Sequence, residues 1–348
     1  MSRTRILSLA AIATAVGVAL TGCVPGEGSN LGSEPEPTAE ATLPGSWSSD
    51  VLNLDFATYN PLSLIIKDQG WLEDTFDGKV TVNWLQSAGS AAANEALKAG
   101  SIDVGSTAGS AALLARSNGS PIQTIDIYSQ NWAAILVGPN SDITSVADLK
   151  GKNIAANAGT DPYFFLLQAL QEAEIGLDEV TITQLQHADG KIAVEGGTVD
   201  AWAGLDPLLT ASVVNAGTKI IYDNPEFNSY GFLNATEAFI AASPDIVQVV
   251  VDAYEKAREW ALENPDETAE IFAEIAGIDL AIAQTVLTER TDLDIDPAPG
   301  DTQRAVLEFI GPVFVSAGTV ATQDAVDDAL DTLFNTEFID NANPALIG

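Results

Sequence analysis

The chain has 348 residues, 49 acidic side chains against 14 basic, and one each of His, Cys and Met, for a formal charge of −35. No stretch clusters Lys or Arg as a phosphate-binding footprint requires, which excludes nucleic-acid binding; a lone His and a lone Cys argue against a Ser–His–Asp triad, a Cys–His pair or a His- or Cys-rich metal site. With 46% apolar residues there is material for more than one core, and the length predicts two domains.

Residues 1–5 carry two arginines, and 6–20 are apolar or small throughout. That run is short for a membrane span but right for a secretory h-region. It ends in Leu20-Thr21-Gly22-Cys23, which resembles the bacterial lipoprotein signal. The resemblance implies removal of 1–22, lipidation of Cys23 and a mature protein on the extracytoplasmic face of the cell membrane. Residues 24–49 are rich in Gly, Pro, Glu, Ser and Thr with almost no core-forming side chains, so 23–49 is expected to be a flexible tether. The acidic surface favours solubility and says little about fold.

From residue 51 short β-type runs alternate with helical ones. Strands are expected at 51–57, 80–86, 102–104, 122–128, 133–137, 153–156, 180–185, 201–203, 219–222 and 239–242, and helices at 62–69, 91–99, 110–117, 146–150, 163–173, 191–195 and 208–215. This alternation implies parallel sheets with helices on both faces. Ser145-x-x-Asp148 reads as a capping box before a short helix that Gly151 stops. Beyond Ser243 the text is amphipathic helix punctuated at Pro244, Pro265, Pro297 and Pro299, with Val249, Ala253 or Tyr254, Ala257 and Trp260 at core spacing.

Asp292, Asp294 and Asp296 begin like a calcium loop, but Pro297 stands where Gly is needed and Gln303 where Glu is, so this is a solvated acidic loop and no metal site is expected. His187 reads as a surface or capping residue. Two turns have the composition to meet a ligand beyond strand ends. One is Gly105-Ser106-Thr107-Ala108-Gly109-Ser110. The other is Gly159-Thr160-Asp161-Pro162, where Asp161 as N-cap and Pro162 at the first helical position would also serve the helix itself.

Residues 100–107 (GSIDVGST), 146–152 (VADLKGK), 165–170 (FLLQAL) and 199–203 (VDAWA) with Asp206-Pro207 together resemble the solute-binding proteins of ABC importers for aliphatic sulfonates, taurine and nitrate, and extend to the thiamine-pyrimidine-precursor branch. The likeness spans about residues 50–340. It implies an α/β type II periplasmic-binding-protein fold: two hinged lobes, one of 50–131 plus 240–348 and the other of 132–239, with the ligand in the cleft between them. It further implies no cofactor, no catalysis, a monomer, and partners in an ABC permease and its ATPase. Carried onto this chain, the family's pocket falls on Thr58, Tyr59, Asn60, Ala88, Gly89, Ser106, Thr107, Asn131, Trp132, Gly159, Thr160, Asp161, Trp202 and Asp206, with Asn228 and Tyr230 near the return crossover. Trp202 could equally be core.

The expected ligand is a small organic anion, an aliphatic sulfonate first. Pro162 and Asp161 depart from the family's serine-rich loop, and none of the Lys or Arg residues falls in the carried-over pocket. Tyr59, Trp132, Tyr163, Trp202 and Tyr230 with Asp161 would instead suit an aromatic or pyrimidine-type heterocycle, which stands as the alternative. An enzyme on this fold is the rival class, and the lipoprotein signal argues against it.

Overall fold

The computed structural model describes Thr42–Gly348, Trp132 excepted. Cys23 and most of the expected tether lie outside the described residues. Residues 42–49, expected to belong to the tether, instead pack on the fold. Leu43 and Trp47 join a core, Trp47 meets Phe76 edge-on at 4.9 Å, and Ser48 N–H donates to Asp245 at 2.9 Å.

The chain then runs β1 (Val51–Phe56), α1 (Pro61–Gln69), α2 (Trp71–Phe76), β2 (Thr81–Gln86), α3 (Ser90–Lys98), β3 (Val104–Ala108), α4 (Gly109–Ser117) and β4 (Ile122–Asn131). It crosses to β5 (Ala134–Val137), β6 (Asn153–Ala156), α5 (Asp161–Glu172), β7 (Thr181–Gln184), α6 (His187–Glu195), β8 (Ala201–Gly204), α7 (Leu208–Ala216) and β9 (Lys219–Asp223). It returns through β10 (Gly231–Thr236) to α8 (Glu237–Ala242), α9 (Pro244–Glu263), α10 (Pro265–Ala276), α11 (Leu280–Glu289), β11 (Thr291–Asp292), α12 (Asp301–Ser316) and α13 (Gln323–Leu333).

Two sheets result, ordered β11-β4-β10-β3-β1-β2 and β7-β6-β8-β5-β9. Each is mixed rather than parallel throughout. β10 runs antiparallel to β3 and β4, and β5 antiparallel to β8 and β9, because each crossover delivers the chain from the other sheet instead of through a helix on the same one. The strand expected at 239–242 is helix α8, and the return strand is β10. The chain therefore rejoins the first sheet at Gly231, ahead of the 239/240 boundary expected for the lobes. Gly231 is required there: a Cβ would enter the ring of Tyr128 on the neighbouring strand.

Helices cover both faces of the first sheet. Leu52, Leu54, Phe76, Val247 and Tyr254 share one core with α1, α2 and α9, and Leu97, Ile102, Leu113, Phe232 and Phe314 another with α3, α4, α12 and α13. The second sheet is likewise buried on both faces. The lobes touch along their flanks. Phe164 of α5 lies 4.5 Å from Phe314 of α12, and Ala211 of α7 packs with Ile282 and Val286 of α11. Ser145 N–H does donate to Asp148, at 3.0 Å, as the capping box required. In α9, Val249, Ala253, Tyr254 and Ala257 are buried, whereas Trp260 is only partly so and rests edge-on to Trp71.

Arg258, also on α9, is buried, and periodicity alone would have left a charged residue outside. It donates to the carbonyls of Ile127, Tyr128 and Leu293 at 2.6, 3.2 and 2.9 Å and lies 3.5 Å from the buried Asp126. It thereby fixes the end of β4 just before the crossover.

Candidate functional site

Between the two lobes lies a narrow cleft with only about 20 Å³ of free interior, the space of a single water, so a solute enters it only when the lobes part. Its walls come from the ends of β1, β2, β3, β4, β6, β7 and β8 and from the helices that follow. Tyr59, Gly89, Ser90, Ala108, Tyr128 and Asn131 line it from the first lobe, and Thr160, Asp161, Pro162, His187, Leu205 and Asp206 from the second.

Helices α3, α4, α5, α6 and α7 all begin at this cleft, so the positive ends of several helix dipoles converge on it. Two of those ends present a full first turn of unpaired amides. α3 and α6 start without a side-chain cap, and their backbone ladders begin only at Ala93 N–H to Gly89 and Gly190 N–H to Gln186, leaving the earlier amides of each first turn for another acceptor. The starts of α4 and α7 are engaged: Gly109 N–H donates to Tyr230 and Ser110 N–H to Ser229 Oγ, and Asp206 accepts from Thr210 N–H. α5 also lacks a side-chain cap, but Pro162 removes one of its first-turn donors.

His187 opens α6. It is only 5% exposed, and its Nδ1 is buried without a hydrogen-bond partner. Its ring faces the first lobe: a Cβ placed on Gly89 would stand 3.3 Å from Nε2. Burial pushes its pKa down to about 4, and the helix N-terminus disfavours a cation in the same sense. At neutral pH this is an uncharged imidazole able to present an N–H to an acceptor.

Asp161 lines the cleft but is not the N-cap expected of it. Thr160 occupies the N-cap position with extended backbone, Asp161 is the first helical residue and Pro162 the second. The Asp161 carboxylate turns away from its own helix to accept from Ser110 Oγ at 2.6 Å, and from the backbone N–H, at 3.3 Å, and hydroxyl of Ser229. Burial raises its pKa, opposed by those hydrogen bonds.

Tyr59, Gly89, Asn131, Thr160, Asp161 and Asp206 are thus brought together among the residues expected to bind ligand. Others fall elsewhere. Ser106 and Thr107, expected in a turn, lie inside the buried strand β3: Ser106 N–H and Oγ donate to Asp55 at 2.8 and 3.0 Å, and Thr107 Oγ accepts from Asn234. Asn60 caps α1 and bonds Tyr254, Thr58 is absent from the lining, and Ala88 is exposed beside the cleft. Gly159 faces an outer groove with Ala91 and Leu114. Asn228 accepts from Ala133 N–H and so joins the two crossovers, and Tyr230 holds a left-handed backbone at φ 61° outside the lining. Trp202 is core, 1% exposed, wedged between Gly190 and Gly204, where a Cβ on either would collide with its indole. Tyr163 packs on Phe164. Trp132 lies outside the described residues.

Ser90, Tyr128 and Leu205 line the cleft without having been singled out, and so does His187, which the sequence suggested was a surface or capping residue and which is buried. His187 carried a usable signal, since it follows β7 at the start of a helix, the place where α/β folds put ligands.

Beneath the cleft, burial pushes the Asp55 carboxyl up to about 6, against the pull of the Ser106 hydrogen bonds. Between pH 3.8 and about 6 the folded protein holds a proton that the unfolded chain has released, so this group makes stability fall as pH rises through that window. Denaturant titrations at pH 4 and pH 7 should show Asp55→Asn gaining on the wild type at the higher pH.

The sequence profile of the family described as NMT1/THI5 like matches residues 65–268. A Bacillus subtilis (strain 168) protein named as an aliphatic sulfonates-binding protein is 31% identical over 236 residues, covering 66% of this chain and 71% of that protein. An Escherichia coli (strain K12) protein of the same name is 28% identical over 219 residues, covering 62% and 69%. In three dimensions the chain resembles the alkanesulfonate-binding protein SsuA from Xanthomonas axonopodis pv. citri, with a TM-score of 0.73 at 22% identity, over 83% of this chain and 99% of that one. The two-lobed architecture is that of the periplasmic binding proteins, and the chain belongs to the NMT1/THI5-like family of solute-binding proteins.

Proposed function

We propose that the protein is a lipid-anchored receptor on the extracytoplasmic face of the cell membrane, that it captures a small organic anion, an aliphatic sulfonate, and that it delivers this ligand as a monomer to an ABC permease driven by its ATPase. The observation that carries the reading is the pairing of two uncapped helix starts, α3 and α6, across one cleft with the neutral His187 imidazole between them. A sulfonate has three acceptor oxygens and no proton to give, so it suits a wall of N–H donors. Helix dipoles and amides hold such an anion without a Lys or Arg. The names of the sulfonate-binding relatives point the same way.

In this reading the ligand is captured without covalent change. Residues from both lobes touch one solute, which gives the closed form its higher affinity, and closure is absorbed by the two crossovers. A pyrimidine-type heterocycle finds less support: of the five aromatic residues proposed for stacking, Trp202 and Tyr163 are packed in cores and Tyr230 stands outside the lining.

A thermal-shift screen tests the proposal, because a specific ligand stabilises the folded state by mass action. Alkanesulfonates should raise the melting temperature in proportion to the logarithm of their concentration, with pyrimidines and nucleobases inert. Stabilisation by heterocycles alone would reject the anion reading.

A further inference from the structure

The Asp161 carboxylate belongs to the second lobe, yet its hydrogen-bond partners do not. Ser110 stands on α4 of the first lobe, and Ser229 in the crossover that returns the chain to it. Ser110 N–H donates in turn to Ser229 Oγ at 2.8 Å, and Gly109 N–H to Tyr230 at 3.0 Å, so the start of α4 is already bound to the crossover that Asp161 grips. One buried anion thereby joins three segments whose spacing has to change when two lobes move about their crossovers.

We propose that Asp161 is a positioning residue for ligand capture, a fixed internal anion that clasps the lobes so that the protein's own carboxylate supplies part of the free energy of closure. The proposal rests on reading the cleft as the ligand site. Hydrogen bonds to a charged acceptor are the stronger kind, and burial removes competing water. A receptor biased toward its closed form binds with an apparent affinity higher by the gain in the competent fraction. The clasp also explains how a negative charge is tolerated in the wall of an anion site: its acceptor capacity is taken up by the two serines.

The test measures the distance between the lobes and ligand affinity separately. In the full chain carrying Cys23→Ser, spin labels are placed at Glu95→Cys on α3 and Ile192→Cys on α6, both exposed and in different lobes. Without ligand, Asp161→Ala should move the distance distribution to longer values, and Ser110→Ala should do so less, with no further shift when the two are combined. Asp161→Asn, which keeps an acceptor, should lie between. Alkanesulfonate affinity should fall about tenfold in Asp161→Ala, the scale of a lost charged hydrogen bond, while saturating alkanesulfonate restores the short distance. Should Asp161→Ala fail to fold, Ser110→Ala alone decides the question. Unchanged distances in the variants would overturn the proposal, as would an affinity loss with no change in distance, which would place Asp161 on the ligand. If the wild type binds no sulfonate, the proposed function fails while the ligand-free distances still decide whether Asp161 is a clasp.

Discussion

Trp202→Ala should lower the stability of the protein by about 3–5 kcal/mol, the range for truncating a fully buried aromatic side chain. The indole fills the space between Gly190 in the first turn of α6 and Gly204 at the end of β8, and it packs with Leu136, Val194 and Leu209. No neighbour is placed to fill the hole without moving α6. The second consequence is functional: α6 carries His187 and one of the two open helix starts, so the surviving folded fraction should bind ligand more weakly although Trp202 is absent from the cleft lining. Denaturant unfolding read beside calorimetric titration at a temperature where the variant is folded checks both. A variant of wild-type stability that has lost only affinity would put Trp202 on the ligand and contradict the core assignment.

The second large effect is carried by His187. Its pKa is about 4 in the folded protein against 6.5 when unperturbed, so between those values the unfolded chain binds a proton that the native state refuses. The stability tied to this residue is complete above pH 6.5 and is lost as pH falls toward 4, a total of roughly 3 kcal/mol at about 1.4 kcal/mol per unit. Asp55 acts in the opposite direction over nearly the same window, so the wild-type profile is the flatter for containing both. The difference between wild type and His187→Gln isolates the histidine: the variant should gain on the wild type by about 3 kcal/mol between pH 7 and pH 4. A bound anion beside the imidazole favours its charged form, so alkanesulfonate binding near pH 5 should take up a proton, visible as a dependence of the calorimetric heat on buffer. A neutral heterocycle would show no such uptake. A His187→Gln profile parallel to the wild type would mean that the imidazole protonates freely in the fold.

Much of the architecture was legible because alternating short apolar runs and helical segments imply an α/β fold, and the family's motifs keep their order. What escaped was set by tertiary packing. β10, GFLNAT, carries no clear strand signal and is a strand because β3 and β4 pair with it on both sides. Gly105, Ser106 and Thr107 look like a ligand-binding turn, but small side chains are needed there because Leu97 and Ile102 press on Gly105 and the Ser106 hydroxyl answers Asp55 from within the sheet. Trp202 was undecided because the two glycines that admit it, Gly190 and Gly204, mean nothing until α6 lies over β8. His187 was passed over because a single histidine in polar text resembles a surface residue; its burial depends on the opposite lobe. The partners of Asp161, Ser110 and Ser229, are 51 and 68 residues away, and no local pattern announces them.

The measurement that tests the central claim most directly is a crystal structure of the protein grown with a short alkanesulfonate. The account predicts the sulfonate oxygens within hydrogen-bond distance of His187 and the first-turn amides of α3 and α6, with the Asp161 carboxylate still held by Ser110 and Ser229. A sulfonate seated away from these donors, or an Asp161 turned from its serines onto the ligand, would contradict it.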